Sequence, residues 1–391
     1  MLRSQLDHVI GQILDFAPGV SDILMVAGKP LQGEVHGKLA DLLLDPDLGP
    51  LLPFQTESMA FCMMGQNSRL FEDLAGHGSC DLAYALQGRA RFRVNIFSQR
   101  GSLSIVMRQL STEIPTMEGL NLPSVFEEMS KEKFGMILVT GGTGSGKSTS
   151  LAALIDRINS EFPVHIVTLE DPVEYEHPHK MGTVNQREMG LDFDQFSSGL
   201  RAALRQAPKV ILVGEIRDKE TIEIAMQAAE TGHLVLGTLH TSDTGQTINR
   251  IVGMFDLAEE RLIRSRLAES LKFVISQRLL TKVGGGRAAA FEILRNNMRI
   301  KELILQGESG DKTFYNVLAT SETYGMITFD LYLMKLFSEG KITEDTAMLA
   351  SSDKSRLGQM LDRVKSERGE KVTNIEGLSL DNEYGNKGGG K

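Results

Sequence analysis

Apolar residues recur along this chain at two spacings, one typical of helices and one typical of strands. Residues 4–15 place apolar side chains on one helical face, which predicts a short amphipathic helix. Short strands are expected at 23–26 and 34–36, and residues 57–74 again predict a helix. The candidate core residues of that second helix are Met59, Phe61, Cys62, Met63 and Phe71.

From Cys80 onward, apolar and polar residues alternate. Residues 89–96 predict a strand with one apolar face, formed by Ala90, Phe92, Val94 and Ile96. The opposite face carries Arg89, Arg91 and Arg93, and a further strand at 103–107 leads to Arg108. A charged strand face is commonly only solvated. Three arginines in an acidic protein nevertheless favour an anionic partner, such as the phosphates of a nucleotide in the same or a neighbouring subunit.

The second part of the chain alternates apolar strands with helices, which is typical of an α/β domain. Its predicted strands are 136–140, 164–169, 210–214 and 234–239. From about 257 to about 368 the chain is expected to be mostly helical, with a loop or hairpin at 284–286 and a last strand at 288–294.

These patterns predict two domains. A small α+β (PAS-like) domain is expected at 1–109 and a linker at 110–124, where prolines interrupt the chain. An α/β domain with C-terminal helices is expected at 125–371. The polar, glycine-rich residues 372–391 are expected to form a disordered tail.

The composition is that of a globular protein, with 41% hydrophobic and 24% charged residues in a chain of 391. A net charge of −9 does not suit bulk binding to nucleic acid or to anionic lipid. The two cysteines, Cys62 and Cys80, lack metal-ligand spacing and indicate free thiols in a reducing compartment. No apolar run has the length of a membrane span and no signal sequence is evident, so a cytoplasmic protein is expected.

The strongest chemical signal is the segment from Gly141 to Thr149, which fits the pattern G-x-x-x-x-G-K-[ST] between a predicted strand and a helical pattern. Glycines let backbone N–H groups and the positive end of a helix face phosphates. The segment therefore predicts a bound nucleoside triphosphate, with Lys147 on the β- and γ-phosphates and Ser148 on Mg²⁺. The candidate binding residues are Gly142, Thr143, Gly144, Ser145, Gly146, Lys147, Ser148 and Thr149.

Two acidic motifs follow other predicted strands. The strand at 210–214 ends at Glu215, where an acid is expected to face Mg²⁺ through water. Residues 168–174 carry three acids, Glu170, Asp171 and Glu174, at the end of another strand. A group that activates or orients the attacking water is expected there, because the carboxyl ends of strands are where α/β sheets bind ligands.

Histidines lie on both sides of the strand at 234–239. His233 and His240 are candidates to sense the γ-phosphate or to relay its loss to a subunit interface. A metal site is the alternative, but the two histidines lie at opposite strand ends without acidic or thiol companions. His177 and His179 are expected on a loop surface.

Together and in this order, these motifs resemble the secretion-superfamily ATPases, and most closely the PilT/PilU branch of type IV pilus retraction motors. The segments 169–174, 184–188, 210–218 and 231–241 match in type and spacing, and so does the N-terminal run 91–95. The resemblance implies a RecA-like phosphate-loop domain that uses ATP and Mg²⁺. It implies Glu174 as the catalytic glutamate, with Glu215, His233, His240, Arg93 and Arg108 also in the catalytic site. It implies Ser148 and Glu215 as the residues that bind the metal.

The resemblance also implies partners: a homohexameric ring in which one subunit supplies Arg93 and Arg108 to its neighbour, and an inner-membrane pilus platform protein. Residues 298–304 depart from the family's retraction signature, which leaves open an accessory or scaffold role beside a paralogous motor ATPase. The two cysteines and the short N-terminal part are unlike assembly-type relatives, which usually carry a four-cysteine zinc module. A nucleic-acid translocase is a further alternative, disfavoured by the acidic charge and the lack of basic–aromatic stripes.

Overall fold

The computed structural model of the chain describes residues 1–35, 37–42, 44–110 and 113–370. The end of the strand expected at 34–36, two residues of the expected linker and the tail at 372–391 therefore lie outside the described residues. The chain divides into two compact units. The first comprises Met1–Lys131 and Ser148–Glu215, and the second comprises Glu132–Lys147 and the chain from Ile216 onward.

The α-helices and strands of the described residues are numbered in chain order. The helices are α1 (Arg3–Phe16), α2 (Pro53–Met64), α3 (Ser68–His77), α4 (Val125–Ser130), α5 (Lys147–Glu161), α6 (Phe196–Ala203), α7 (Lys219–Glu230), α8 (Thr244–Val252), α9 (Glu260–Ser270), α10 (Met298–Gln306), α11 (Phe314–Ala319), α12 (Phe329–Ser338), α13 (Glu344–Leu349) and α14 (Lys354–Glu367). The strands are β1 (Val20–Met25), β2 (Gln32–Val35), β3 (Lys38–Asp41), β4 (Ser79–Leu86), β5 (Ala90–Gln99), β6 (Ser102–Leu110), β7 (Gly135–Thr140), β8 (His165–Glu170), β9 (Thr183–Glu188), β10 (Val210–Val213), β11 (Leu234–Leu239), β12 (Leu271–Thr281) and β13 (Arg287–Arg295).

An antiparallel sheet forms the N-terminal part of the first unit, in the strand order β3-β2-β1-β6-β5-β4. The alternation along β5 is confirmed, because Phe92, Val94 and Ile96 are fully buried. The helix predicted at 4–15 is confirmed as α1, which buries Leu6 and Ile10. One apolar face of this sheet therefore packs beneath helices, as the period-two pattern requires.

The single helix expected at 57–74 is wrong. The chain forms α2 and α3 instead, separated at Gly65, whose φ of 60° ends α2. Asn67 then caps α3 by accepting a hydrogen bond from the backbone N–H of Arg69. Met59 and Met63 are buried as expected, and Cys62 is half-buried. Phe61 and Phe71 are exposed, and their ring centroids lie 5.7 Å apart.

Three parallel strands form the rest of the sheet structure in the first unit, in the order β10-β8-β9. The strands predicted at 164–169 and 210–214 are confirmed as β8 and β10. β9 was not predicted as a strand. Its residues are mostly polar, which is compatible with its place at the edge of the sheet but gives no apolar alternation to read.

The second unit contains strands in the order β13-β12-β7-β11, with β7 parallel to both of its neighbours. The predicted strands at 136–140 and 234–239 are confirmed, as are the hairpin at 284–286 and the last strand. The expectation of a helix through Lys272 and Val274 is wrong. α9 ends before Leu271, and β12 continues as a buried strand between β7 and β13.

Three further observations concern single expectations from the sequence. Cys62 and Cys80 are free cysteines, as predicted. Within the described residues, no helix is long and apolar enough to cross a membrane. The expectation of a surface position for His177 is wrong: its backbone N–H donates to Gln186 Oε1 at 2.7 Å, and the residue is 9% exposed. Burial lowers the pKa of His177 to about 4.

The buried imidazole predicts a specific pH dependence of stability. Between pH 6.5 and about pH 4 the unfolded chain protonates this side chain and the folded chain does not, so the free energy of unfolding falls as the pH falls. At pH 5 the loss should be about 2 kcal/mol relative to pH 7.5.

Denaturant unfolding at both pH values should show a smaller loss for the His177→Gln variant than for the wild type. The exposed His77 offers a control, since His77→Gln should preserve the wild-type difference. Equal losses in all three proteins would contradict the prediction.

Candidate nucleotide-binding and catalytic site

The loop between β7 and α5 is shaped by its glycines. β7 is buried along its whole length, and Gly141, Gly144 and Gly146 follow it with φ values of 146°, 74° and 90°. A Cβ atom on Gly141 would lie 2.4 Å from the backbone oxygen of Gln277, in β12. A larger residue at Gly141 would therefore displace the loop from β12.

Polar groups of this loop fit a phosphate ligand. Lys147 is 9% exposed, and its Nζ donates to the backbone oxygens of Gly141 at 2.9 Å and Gly142 at 3.1 Å. Among the described residues, the buried Oγ of Ser145 has no hydrogen-bond partner. An ammonium group and a buried hydroxyl at the start of a helix are suited to bind the oxygens of a phosphate chain. The structure thus brings Gly142, Thr143, Gly144, Ser145, Gly146 and Lys147 together in one turn.

Ser148 and Thr149 begin the part of α5 that belongs to the first unit. The Thr149 Oγ1 and the hydroxyl of Tyr175 lie 3.2 Å apart, which links this helix to the acidic segment after β8. Ser148 lies directly after the phosphate-loop lysine, where a hydroxyl can bind Mg²⁺ next to the phosphates.

The structure separates the two candidate histidines. His240 follows Leu239, whose backbone oxygen accepts a hydrogen bond from the N–H of Gly141 at 3.3 Å. His240 therefore lies at the same end of the sheet as the phosphate loop. His233 precedes β11 at the opposite end, where its backbone oxygen accepts from Gly135. Six residues of strand separate the two histidines, a distance of about 20 Å.

The acids at the ends of β8 and β10 are neighbours. The backbone N–H of Gly214 donates to Leu169 at 2.7 Å, so Glu215 emerges beside the end of β8. Glu170 is half-buried and accepts hydrogen bonds from Thr168 Oγ1 at 2.6 Å and Gln186 Nε2 at 3.1 Å. Burial raises the pKa of Glu170. Glu174, four residues further on, is exposed to solvent.

The backbone on both sides of Glu174 is held by hydrogen bonds. The N–H of Val173 donates to Glu188 at 3.1 Å, and the backbone oxygen of Tyr175 accepts from Gln186 at 2.8 Å. Both of these partners lie on β9. The segment 184–188 was part of the resemblance to the family, but Gln186 and Glu188 were not predicted to support the site. β9 is mostly polar and shows no apolar alternation, so the sequence offered no signal for this support.

The expected cationic face is largely paired with carboxylates of the same chain. Arg89 forms an ion pair with Asp15, and Arg108 Nε donates to Asp22 at 2.8 Å. Arg93 and Arg108 are register partners on β5 and β6, and both are exposed. Like charges in register repel each other, and the Asp22 carboxylate offsets part of this repulsion.

No group of three or more His, Cys, Asp or Glu side chains within the described residues is arranged to hold a metal ion. Mg²⁺ in phosphate-loop proteins is bound by a loop hydroxyl, by water and by the phosphates of the nucleotide, and Ser148 offers such a hydroxyl. The residues present fit that mode of binding.

Comparisons with known proteins agree with this architecture. Residues 78–323 match the family described as Type II/IV secretion system protein. The type IV pilus retractation ATPase PilT of Pseudomonas aeruginosa is 42% identical over 340 residues, which is 86% of this chain and 96% of that protein. The type IV pilus ATPase PilU of the same organism is 36% identical, over 93% of this chain and 94% of that protein.

A solved structure is similar along almost the whole chain. The crystal structure of the pilus retraction motor PilT with bound ADP has a TM-score of 0.81 and 42% identity, over 90% of this chain and 98% of that one. The α/β fold with an N-terminal domain and a RecA-like ATPase domain is confirmed. The motifs and the comparisons agree, and the chain belongs to the Type II/IV secretion system protein family, in the branch of the type IV pilus ATPases PilT and PilU.

Proposed function

We propose that this protein is a motor ATPase that couples ATP hydrolysis to the retraction of type IV pili, by disassembling pilin into the inner membrane. The observation that carries the proposal is the glycine-shaped loop with Lys147, in a chain similar to PilT over nearly the whole length of both proteins. Pilus retraction requires a membrane platform, so the proposed location is the cytoplasmic side of the inner membrane, where a platform protein is the partner.

The proposed chemistry assigns a role to each candidate residue. Lys147 and the loop N–H groups hold the phosphates, and Ser148 and Glu215 hold Mg²⁺, the latter through water. Glu174 accepts a proton from the attacking water. Its exposure and the firm attachment of its flanking peptides support this role, because a base must be both accessible and positioned. His240 is nearer the γ-phosphate, and His233 relays its loss toward a subunit boundary.

The register pair of Arg93 and Arg108 supports a proposed ring assembly. In a homohexamer, this pair would approach the phosphates bound to a neighbouring subunit and stabilise charge that develops during hydrolysis. Nucleotide turnover in one subunit would then depend on the position of the next, which is how a ring converts hydrolysis into movement.

A second candidate is an accessory ring that works with a paralogous motor. The match to PilU covers 93% of this chain, and residues 298–304, which depart from the retraction signature, lie in α10. Steady-state ATP turnover by the purified protein alone, together with its mass in solution, tests the scaffold form of this alternative: a motor hydrolyses ATP as a hexamer, and a scaffold does not.

Replacing the proposed base should abolish hydrolysis and preserve nucleotide binding. The Glu174→Gln variant is expected to lower kcat by at least about 100-fold, because proton transfer in the transition state is lost. ADP affinity should stay near the wild-type value. The exposed Asp194→Asn variant is a matched control for removal of one carboxylate, and it should retain full turnover. Wild-type kcat in Glu174→Gln would refute the assignment of the base.

Replacing Gly141 should weaken nucleotide binding. A side chain in Gly141→Ala would collide with the Gln277 backbone, so the loop would shift and ADP affinity should fall by more than about tenfold. Gly232→Ala is the control, since Gly232 also has a positive φ of 97° but no atom within 4 Å of its would-be Cβ. Calorimetric titration with ADP measures both. Equal affinities in the two variants would contradict the proposed role of the loop.

Deleting the gene should leave cells piliated but weakly motile by twitching, since pili would still assemble and would retract poorly. The wild-type gene should restore twitching, and the gene encoding Glu174→Gln should fail to do so. Electron microscopy and a stab assay on agar measure the two phenotypes. Cells without pili would instead indicate an assembly motor and would refute the proposal.

A further inference from the structure

Arg91 contacts three residues of its own chain: one on the acidic segment, one just after it and one on β9. Its Nη1 donates to the backbone oxygen of Val173 at 3.0 Å, and its Nε lies 3.0 Å from Glu176 Oε1. Its Nη2 lies 3.7 Å from Glu188 Oε2. Sequence reasoning placed Arg91 on a face that meets an anionic partner. The structure shows that its anionic partners are the carboxylates of Glu176 and Glu188, which both follow Glu174 in the chain.

The contact with Glu188 is buried, whereas the side chain of Glu176 is 68% exposed. The side chain of Arg91 is 15% exposed and that of Glu188 is 9% exposed, so water competes little for the guanidinium or the carboxylate. Glu188 also accepts the N–H of Val173, so one ion pair holds the backbone N–H and the backbone oxygen of the residue before Glu174. A neutral side chain at position 91 would leave the buried carboxylate of Glu188 without its cation.

The rest of the segment is held from other directions. Gln186 accepts from His177 and donates to Tyr175, and Tyr175 also contacts Thr149 in α5. Glu174 itself is exposed between these attached residues. The contacts from Thr149 and Gln186 come from α5 and β9. The contact from Arg91 comes from β5, which is paired on both sides within the N-terminal sheet.

We infer that Arg91 is a positioning residue for Glu174, through which the N-terminal sheet of a subunit sets the geometry of hydrolysis in that same subunit. The inference rests on the proposed role of Glu174 as the base. It assigns Arg91 a different task from Arg93 and Arg108, which lie on the exposed register pair. Displacement of β5 from the acidic segment would release the Val173 peptide and move the carboxylate that activates water.

The test compares steady-state ATP hydrolysis by the full-length wild type and by Arg91→Gln, Arg91→Lys and Arg89→Gln. Arg91→Gln is expected to lower kcat by about 10- to 100-fold, with KM for ATP within about two-fold, because a displaced base slows chemistry without weakening nucleotide binding. Arg91→Lys should recover part of the loss, since an ammonium can still reach the Val173 oxygen. Arg89→Gln removes the neighbouring arginine, which pairs with Asp15, and should behave as the wild type.

Combination with Glu174→Gln gives an independent readout. If Arg91 acts through Glu174, the double variant Arg91→Gln, Glu174→Gln should be no slower than Glu174→Gln alone. Binding of a fluorescent ADP analogue and the mass in solution show whether each variant is assembled. If Arg91→Gln fails to assemble, Arg91→Lys decides the question by its kcat and KM.

Several outcomes would overturn the inference. These are wild-type kcat in Arg91→Gln, a raised KM with unchanged kcat, equal losses in Arg89→Gln, or additive losses in the double variant. Wild-type kcat in Arg91→Gln together with an inactive Glu174→Gln protein would refute the role of Arg91 alone. Wild-type kcat in Glu174→Gln would instead refute the proposed base.

Discussion

The requirement for glycine in the loop after β7 is the constraint on which the rest of the site depends. Gly141 lies so close to the Gln277 backbone that a Cβ atom has no room, and its φ of 146° is open to few other residues. This close approach turns the chain at the end of a buried strand and begins α5 at Lys147. Lys147 is thereby held against the loop, where its Nζ donates to the backbone oxygens of Gly141 and Gly142, and a loop of fixed shape lowers the entropic cost of binding phosphate.

A second constraint acts on the acidic segment. A carboxylate that is to act on water must be exposed, yet an exposed loop residue is ordinarily mobile. Here the peptides beside Glu174 are fixed by Glu188 and Gln186, on β9, and by Arg91, on β5. Burial raises the pKa of Glu188 and so favours its neutral form. The guanidinium of Arg91 opposes this rise in the pKa. The exposed carboxylate thus rests on a buried ionic support, an arrangement that combines access with fixed geometry.

The sequence predicted the elements whose own residues specify them. Alternation along β5 and continuous apolar runs at β7, β8, β10 and β11 were sufficient to predict these strands. A strand that is buried on one face or on both has apolar residues at the buried positions. The prediction failed where an element depends on pairing with strands distant in the chain. β12 continues the helical pattern of α9, and only pairing with β7 and β13 makes it a strand. β9 is a polar edge strand without apolar alternation. The break between α2 and α3, by contrast, is marked locally by Gly65 and Asn67, and the prediction of a single helix overlooked it.

The sequence by itself determined the phosphate loop, the acids after β8 and β10 and the histidines around β11, because each is a short motif whose chemistry follows from residue type and spacing. The tertiary structure decided which of them are neighbours and what supports them. It separated His233 from His240 by the length of a strand, paired Arg93 with Arg108, and buried Arg91 against residues more than eighty positions away in the chain. Such contacts depend on the packing of distant elements, and no local pattern of residues encodes them.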